Sequence, residues 1–299
     1  MRLGRHMPTN SRPVLAAATA KKLGCEAIQI FGSNPTGWQM PADNLSACTA
    51  FAEAAKLYEL DPVVLHAPYL INLASPEEEN WMRSYRLLVW TMQRAALLGG
   101  TQVVVHMGSH KGAGLEGGIE RSADGILSML AETPESVMVL LENGVGTGNM
   151  LGKNFEEIQA VLERIPSSDG RVGVCLDTAH LWGAGYDVSS SEAVLEVLQQ
   201  FDQIVGLKRL KVLHLNDSLK LLGSQRDGHA RWGEGQIGTG GLRSLLTDAR
   251  LQHVAALMET PIKLTDQKKE DWEHDRAHFQ LVESFRTPDS DLPLQEASS

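Results

Sequence analysis

The sequence predicts an α/β protein folded as a single-domain (β/α)8 TIM barrel, and three observations favour this fold. Eight short apolar segments alternate with longer segments of helical periodicity. The chain has 299 residues, of which 42% are hydrophobic, so one barrel can form and bury its core. No Pro- or Ser-rich linker divides the chain. We therefore predict a barrel domain over residues 1–286 and a disordered polar tail over residues 287–299.

The predicted strands are near-continuous runs of aliphatic or β-branched residues, such as VVLHA and VVVHM. Such runs are typical of parallel strands that are covered on both faces. In chain order the predicted strands are residues 2–7, 26–31, 63–67, 102–107, 137–143, 172–177, 211–216 and 254–260.

The predicted helices lie between the strands, and the clearest of them covers residues 79–98. Trp81, Leu88 and Met92 share one face of it, which indicates core packing, and Gly99 ends it. The full set is residues 12–22, 43–60, 79–98, 119–131, 155–164, 192–201, 242–249 and 267–284. A doubly wound open sheet is the alternative, but the segment after the first strand is not the glycine-rich phosphate loop that such a sheet favours.

Composition limits the function and the compartment. With 27 basic and 37 acidic residues the formal charge is −10, which on composition alone argues against nucleic-acid binding, because Lys and Arg usually supply most of that affinity. The cysteines Cys25, Cys48 and Cys175 form no CxxC pair, so we expect buried thiols in a reducing compartment. We find no signal peptide and no apolar run near the roughly 20 residues of a membrane helix. We therefore expect a cytoplasmic protein without membrane contact.

Six consecutive predicted strands end in a residue type that binds metal ions. They are His66, His106, Glu142, Asp177, His214 and Glu259. One such residue is more often a hydrogen-bonded structural group. In a barrel, however, all six would converge on the same mouth, where unpaired imidazoles and carboxylates would be costly without a metal ion.

Three further candidates follow in the loops beyond these strand ends. His180 comes three residues after Asp177, and Asp227 and His229 flank a glycine in a flexible DGH loop. Oxygen and nitrogen donors without thiolate indicate zinc first and manganese next.

These motifs resemble those of the endonuclease IV family, which are zinc-dependent apurinic/apyrimidinic endonucleases with a (β/α)8 fold. The similar segments are LENG, CLDTAH, HLNDS, RDGH with GEGQIG, and ET, and the resemblance covers residues 2–276. It implies DNA repair by hydrolysis of the phosphodiester bond 5′ to an abasic site, which leaves a 3′ hydroxyl and a 5′ deoxyribose phosphate.

The resemblance also implies a cluster of three zinc ions, for which Mn²⁺ is a possible substitute. The implied sets are His66 and His106 with Glu142 bridging, then Asp177, His214 and Glu259, then His180, Asp227 and His229. Glu142 is also the residue expected to orient the nucleophile. Three divalent ions would raise the formal charge from −10 to about −4, so DNA binding should depend more on metal occupancy than on basic side chains.

Recognition of double-stranded DNA is assigned, on the same resemblance, to loops around the mouth. Tyr69 and Leu70 match inserted positions, and Asn34 and Trp38 match positions in the loop after the second strand. Thr36 stands where the family often has a penetrating Arg, and the first loop, HMPTNSRP, departs from the usual pattern. We therefore expect retained hydrolysis with weaker or altered selectivity for damage.

Basic side chains near these loops are weaker candidates for contacts to the DNA backbone. Lys111, Arg226 and Arg231 are candidates for this role, although a solvated surface charge explains each single one of them better. We expect a monomer, because the enzyme must embrace a duplex.

Two alternatives remain open. The sugar isomerases and epimerases of the same superfold hold one metal ion with four residues that match Glu142, Asp177, His214 and Glu259. The other alternative is a barrel that binds damaged DNA without cutting it. Metal stoichiometry separates the first alternative from the nuclease, and the complete set of ligands argues against the second.

Overall fold

Eight parallel strands close into a barrel in the computed structural model, which describes residues 1–9, 12–165 and 170–287. The strands are β1 Arg2–His6, β2 Ala27–Phe31, β3 Val63–His66, β4 Gln102–His106, β5 Met138–Glu142, β6 Val172–Asp177, β7 Leu210–His214, β8 Asp217–Ser218, β9 His229–Ala230 and β10 Ala255–Met258. The barrel order is β1–β10–β7–β6–β5–β4–β3–β2, and β8 and β9 form a separate antiparallel ribbon. The predicted fold class is confirmed.

The strands are nearly all buried because helices cover the outside and side chains fill the inside. An inner layer of small and aliphatic residues closes the barrel below its carboxyl mouth. Its members are Ala27, Val64, Val104, Leu140, Cys175, Val212, Ala255 and Leu257. All three cysteines are free and buried, as expected.

Helices surround the barrel. They are α1 Pro13–Leu23, α2 Leu45–Leu57, α3 Glu78–Leu97, α4 Leu115–Glu132, α5 Phe155–Glu163, α6 Thr178–Ala184, α7 Ser191–Ile204, α8 Leu242–Thr247 and α9 Trp272–Ser284. Seven of the eight predicted helices agree with these to within a few residues. The eighth was predicted for residues 267–284, but α9 begins five residues later, at Trp272. Lys268 has a positive φ, and Asp271 caps the helix by accepting the N–H of His274.

The sequence patterns missed one short helix, α6. Asp177 ends β6 and accepts hydrogen bonds from the N–H groups of Ala179 and His180, so the same carboxylate starts the helix. His180 therefore lies on a helix, whereas the sequence analysis had placed it in a loop.

The boundary at residue 286 stays a prediction, because residues 288–299 lie outside the described residues. Across the described part of the chain, no helix is both long and apolar enough to span a membrane.

Candidate metal centre

The strand-end residues meet at the carboxyl mouth of the barrel. His66, His106, Glu142, Asp177 and His214 are the last residues of β3 to β7. Glu259 follows the end of β10 directly. Parallel strands in register place their carboxyl ends at one edge, so residues up to 193 positions apart in the chain face one another. The six residues that were predicted from the strand ends are brought together.

Glu142 lies at the middle of this cluster. Its Oε2 is 3.2 Å from Nε2 of His66 and 3.3 Å from Nδ1 of His106. Its Oε1 is 3.0 Å from Nδ1 of His214 and 3.5 Å from Nδ1 of His180. The two oxygens of one buried carboxylate thus face different histidines, which is the geometry of a bridging ligand.

A second group forms around His214. Its Nδ1 is 3.3 Å from Oε2 of Glu259 and 3.8 Å from Oδ2 of Asp177. Donor atoms of these three residues and of Glu142 all lie within 4.8 Å of one another. Four convergent side chains of this kind suit a single divalent cation.

A third group joins the barrel to the ribbon. Nε2 of His229 is 3.5 Å from Oδ2 of Asp177 and 3.3 Å from Oδ1 of Asp227. Nε2 of His180 is 3.6 Å from the same Asp227 oxygen. His229 opens β9, which pairs with β8, so the DGH segment is held by a ribbon rather than by an isolated flexible loop.

Side chains behind the cluster hold the ligands in place. The Nδ2 of Asn216 donates to Oδ2 of Asp177 at 2.7 Å, and its Oδ1 accepts the N–H of Glu259 at 2.9 Å. Asp217 accepts backbone N–H groups of the loop that contains Gly233, Gly235 and Ile237. The sequence analysis missed these two roles. A signal was present, because Asn and Asp lie two and three residues after a strand-end histidine and a glycine-rich segment follows later in the chain.

Buried ion pairs connect the segment that follows β9 to helix α9. Oδ1 of Asp275 on α9 accepts from Nη2 of Arg231 at 2.8 Å, and Oδ2 lies 2.9 Å from Nη2 of Arg5. Arg5 also donates to the hydroxyl and the carbonyl of Thr260. Arg231 is therefore not a candidate for DNA contact: its guanidinium is buried in this ion pair. Arg226 is exposed, and Lys111 pairs with Glu77 at 3.4 Å.

The buried charges shift one another's ionisation. Burial raises the pKa of Glu142, but His106 and His214 outweigh burial and hold it well below its usual range. Burial lowers the pKa of His180, but Asp177 and Asp227 outweigh it and raise the value to about 10. For His106 burial prevails and the pKa falls to about 4. The lowered pKa values of Glu142, Glu259 and Asp227 keep these three carboxylates ionised at neutral pH.

The residues fit a cluster of metal ions. His66 donates from Nδ1 to the carbonyl of Ala67 at 2.7 Å, and His180 donates from Nδ1 to the carbonyl of Asn143 at 3.0 Å. Each ring thereby directs its Nε2 into the centre. Among the described residues, Nδ1 of His106 and Nε2 of His229 are buried without a hydrogen-bond partner. Metal coordination would satisfy both atoms.

Two cavities flank the cluster. One, of about 390 Å³, is lined by polar residues that include His106, His180 and Asp227 and by apolar residues that include Ile71 and Met150. The second, of about 310 Å³, borders His229, Glu259 and the first loop. Tyr69 borders both cavities. A substrate at the mouth would contact the ion ligands and this ring together.

The predicted DNA-binding residues occupy different positions around the mouth. Tyr69 is 53% exposed and packs edge-on against His66, with 5.5 Å between the ring centroids. Leu70 follows it and is half-buried. Asn34 is exposed, but its Oδ1 accepts the N–H and hydroxyl of Thr36, which stabilises its own turn.

Trp38 is partly buried against the core. The guanidinium of Arg83 covers one face of its ring at 4.5 Å from the centroid. Its role in DNA binding stays a prediction. Only the part of the ring that remains exposed is available for a contact with DNA.

Comparison with known proteins identifies the family. A profile described as xylose isomerase-like TIM barrel matches residues 17–281. The chain is 39% identical over 261 residues to the probable endonuclease 4 of Halothermothrix orenii, covering 87% of this chain and 94% of that protein. The chain belongs to the endonuclease IV family. Membership confirms the predicted family and enzyme class, a phosphodiester hydrolase.

Solved structures agree with this assignment. Endonuclease IV from Thermus thermophilus superposes with a TM-score of 0.81 at 35% identity, covering 95% of this chain and 98% of that one. A D-tagatose 3-epimerase-like protein superposes with a TM-score of 0.66 at 17% identity, covering 95% of this chain and 99% of that one. The second likeness shows the shared barrel fold alone.

Proposed function

We propose that the protein hydrolyses the phosphodiester bond 5′ to abasic sites in double-stranded DNA, using three zinc ions. The observation that carries this proposal is the overlap of the ligand groups: Glu142, Asp177, His180 and His214 each belong to more than one of them. Shared ligands are typical of a cluster of ions, whereas a single-metal site uses each ligand once. The relatives named as endonucleases support the DNA substrate.

The nine proposed ligands divide into three sets. Following the family resemblance, they are His66 and His106 with Glu142, then Glu142, Asp177, His214 and Glu259, then His180, Asp227 and His229. Zinc bound there would supply Lewis acidity, acidify a water towards a pKa of about 7 and neutralise charge on the phosphate and leaving oxygens. The absence of thiolates also permits Mn²⁺.

The chain's own groups perform the remaining tasks. Glu142 is ionised and fully buried, so its oxygens accept hydrogen bonds and orient a water nucleophile for attack on phosphorus. The 3′ oxygen of the preceding nucleotide leaves as the new P–O bond forms, which yields a 3′ hydroxyl and a 5′ deoxyribose phosphate.

Tyr69 provides the substrate-facing surface. Burial raises the pKa of its hydroxyl above the ordinary value, so the ring stays neutral and stacks or wedges beside an unstacked sugar. Leu70 and Asn34 would extend this contact along the duplex. The monomeric state stays a prediction.

The single-metal isomerase is the competing function. It would need only Glu142, Asp177, His214 and Glu259, and it leaves five convergent ligands without a role. A count of about three zinc ions per purified chain supports the nuclease, whereas one ion supports the isomerase.

The direct test uses a duplex that contains one tetrahydrofuran abasic analogue. This analogue cannot undergo β-elimination, so a 3′ end that a polymerase extends arises only through hydrolysis. We expect such ends from the zinc-loaded protein, no cleavage by Glu259→Ala, and ordinary cleavage by Glu273→Ala, which alters an exposed carboxylate on α9. A zinc-loaded wild-type protein that leaves the duplex intact would refute the proposal and favour a binder that does not cut.

A further inference from the structure

Gln29 is a buried polar residue inside the barrel to which no role has yet been assigned. It lies on β2, two residues after Ala27 of the inner apolar layer, and none of its surface is exposed. Side chains two positions apart on a strand share a face. Gln29 therefore points into the barrel directly beneath the metal centre.

Its amide contacts three groups of the mouth. Oε1 lies 2.9 Å from Nε2 of His214. Nε2 donates to Oε1 of Glu259 at 2.6 Å and lies 2.9 Å from Nδ1 of His6. The carbonyl oxygen and both amide hydrogens of Gln29 thus each have a partner, and two of the partners belong to the same proposed ion set.

These contacts allow one orientation of the amide. A carboxylate that ligates a metal ion only accepts hydrogen bonds, so Oε1 of Glu259, 2.6 Å away, must face the NH₂ group. The carbonyl oxygen then faces His214 and requires a proton on its Nε2. With that proton in place, the lone pair of His214 is on Nδ1, the atom that faces Glu142, Asp177 and Glu259.

We propose that Gln29 is a positioning residue for the metal centre: it selects the His214 tautomer that coordinates through Nδ1 and holds the Glu259 carboxylate in the same ion site. The inference rests on the proposed metal-dependent function. It follows the general rule that a ligating histidine donates its other ring N–H to a fixed acceptor.

Glutamine meets this requirement better than similar side chains. An ionised Glu would place a second carboxylate against Glu259, and an apolar residue would leave the His214 N–H buried without an acceptor. Met has nearly the same length and volume as Gln but offers neither a donor nor a comparable acceptor. Gln29→Met therefore removes all three polar contacts of the amide with little change in packing.

The experiment compares zinc affinity of the full-length protein by competition with a chelator. For Gln29→Met we expect one ion per chain to bind about 10- to 100-fold more weakly, and the visible absorption of the cobalt-substituted protein to change. The matched control is Gln102→Met, at the amino end of β4, which should leave both readouts unchanged. Unchanged zinc affinity in Gln29→Met would overturn the proposal.

A second measurement needs no variant and stands if Gln29→Met fails to fold. Nitrogen-15 NMR of zinc-loaded wild-type protein should show His214 protonated at Nε2 and coordinated at Nδ1. The opposite assignment contradicts the proposal. Neither readout involves DNA cleavage, so failure here is distinguishable from failure of the proposed function.

Discussion

Leu140 and Glu142 lie two residues apart on β5 and both point into the barrel, yet they serve different purposes. Leu140 belongs to the inner apolar layer, where neighbouring side chains satisfy it completely. Glu142 is equally buried, but four imidazoles surround it. The apolar layer stabilises the fold through packing, whereas the mouth concentrates charged and titratable groups that we propose hold metal ions.

We expect the largest effect on turnover from a substitution at Glu142, which tests the role of the mouth separately from that of the apolar layer. Glu142→Gln removes the charge while it preserves the shape, so we expect kcat on the abasic duplex to fall by about 10³-fold or more. Zinc bound per chain should also decrease. The free energy of unfolding of the metal-free protein should change little. A variant with near wild-type turnover would contradict the bridging role.

The reciprocal change is Leu140→Ala. It leaves a cavity in the inner layer, and we expect the free energy of unfolding to fall by about 2–5 kcal/mol. Zinc content and turnover per folded molecule should stay close to wild type, because Leu140 belongs to no proposed ligand set. Denaturant titration together with metal analysis measures both quantities. A loss of bound zinc without a loss of stability would contradict the different roles assigned to the inner apolar layer and to the metal centre.

A smaller effect concerns a buried histidine outside the mouth. His278 on α9 is buried, and burial with the nearby Arg231 and Arg5 lowers its pKa to about 4. The unfolded chain has a pKa near 6.5, so it binds the proton first as the pH falls. The contribution of His278 to stability should therefore decline between pH 6.5 and 4. His278→Gln should flatten this part of the stability profile, and parallel profiles would contradict the assignment.

Much of the fold and of the candidate metal-ligand cluster was predictable from local sequence. His66, His106 and Glu142 are the last residues of strand-like runs that are visible in the sequence. Because parallel strands in a barrel have their carboxyl ends at one mouth, these side chains must lie close together. The DGH segment was recognisable by its spacing, although its pairing with β8, in which His229 lies opposite Ser218, was not.

Other residues were not predictable because their partners are distant in the chain. Arg231 resembles an ordinary surface charge in the sequence. Its buried partner, Asp275, is 44 positions away in the chain and meets it only in the folded structure. His180 was assigned to a loop because the short helix α6 depends on capping by Asp177 rather than on hydrophobic periodicity.

The sequence by itself determined the barrel and the chemical types at its mouth, since both follow from periodicity and from the residue at each strand end. Only the tertiary structure decided how those groups are oriented. Gln29 gains its role from His214, 185 positions away, and from Glu259, 230 positions away. Orientation depends on hydrogen bonds across the barrel, and such bonds leave no periodic signal in the chain.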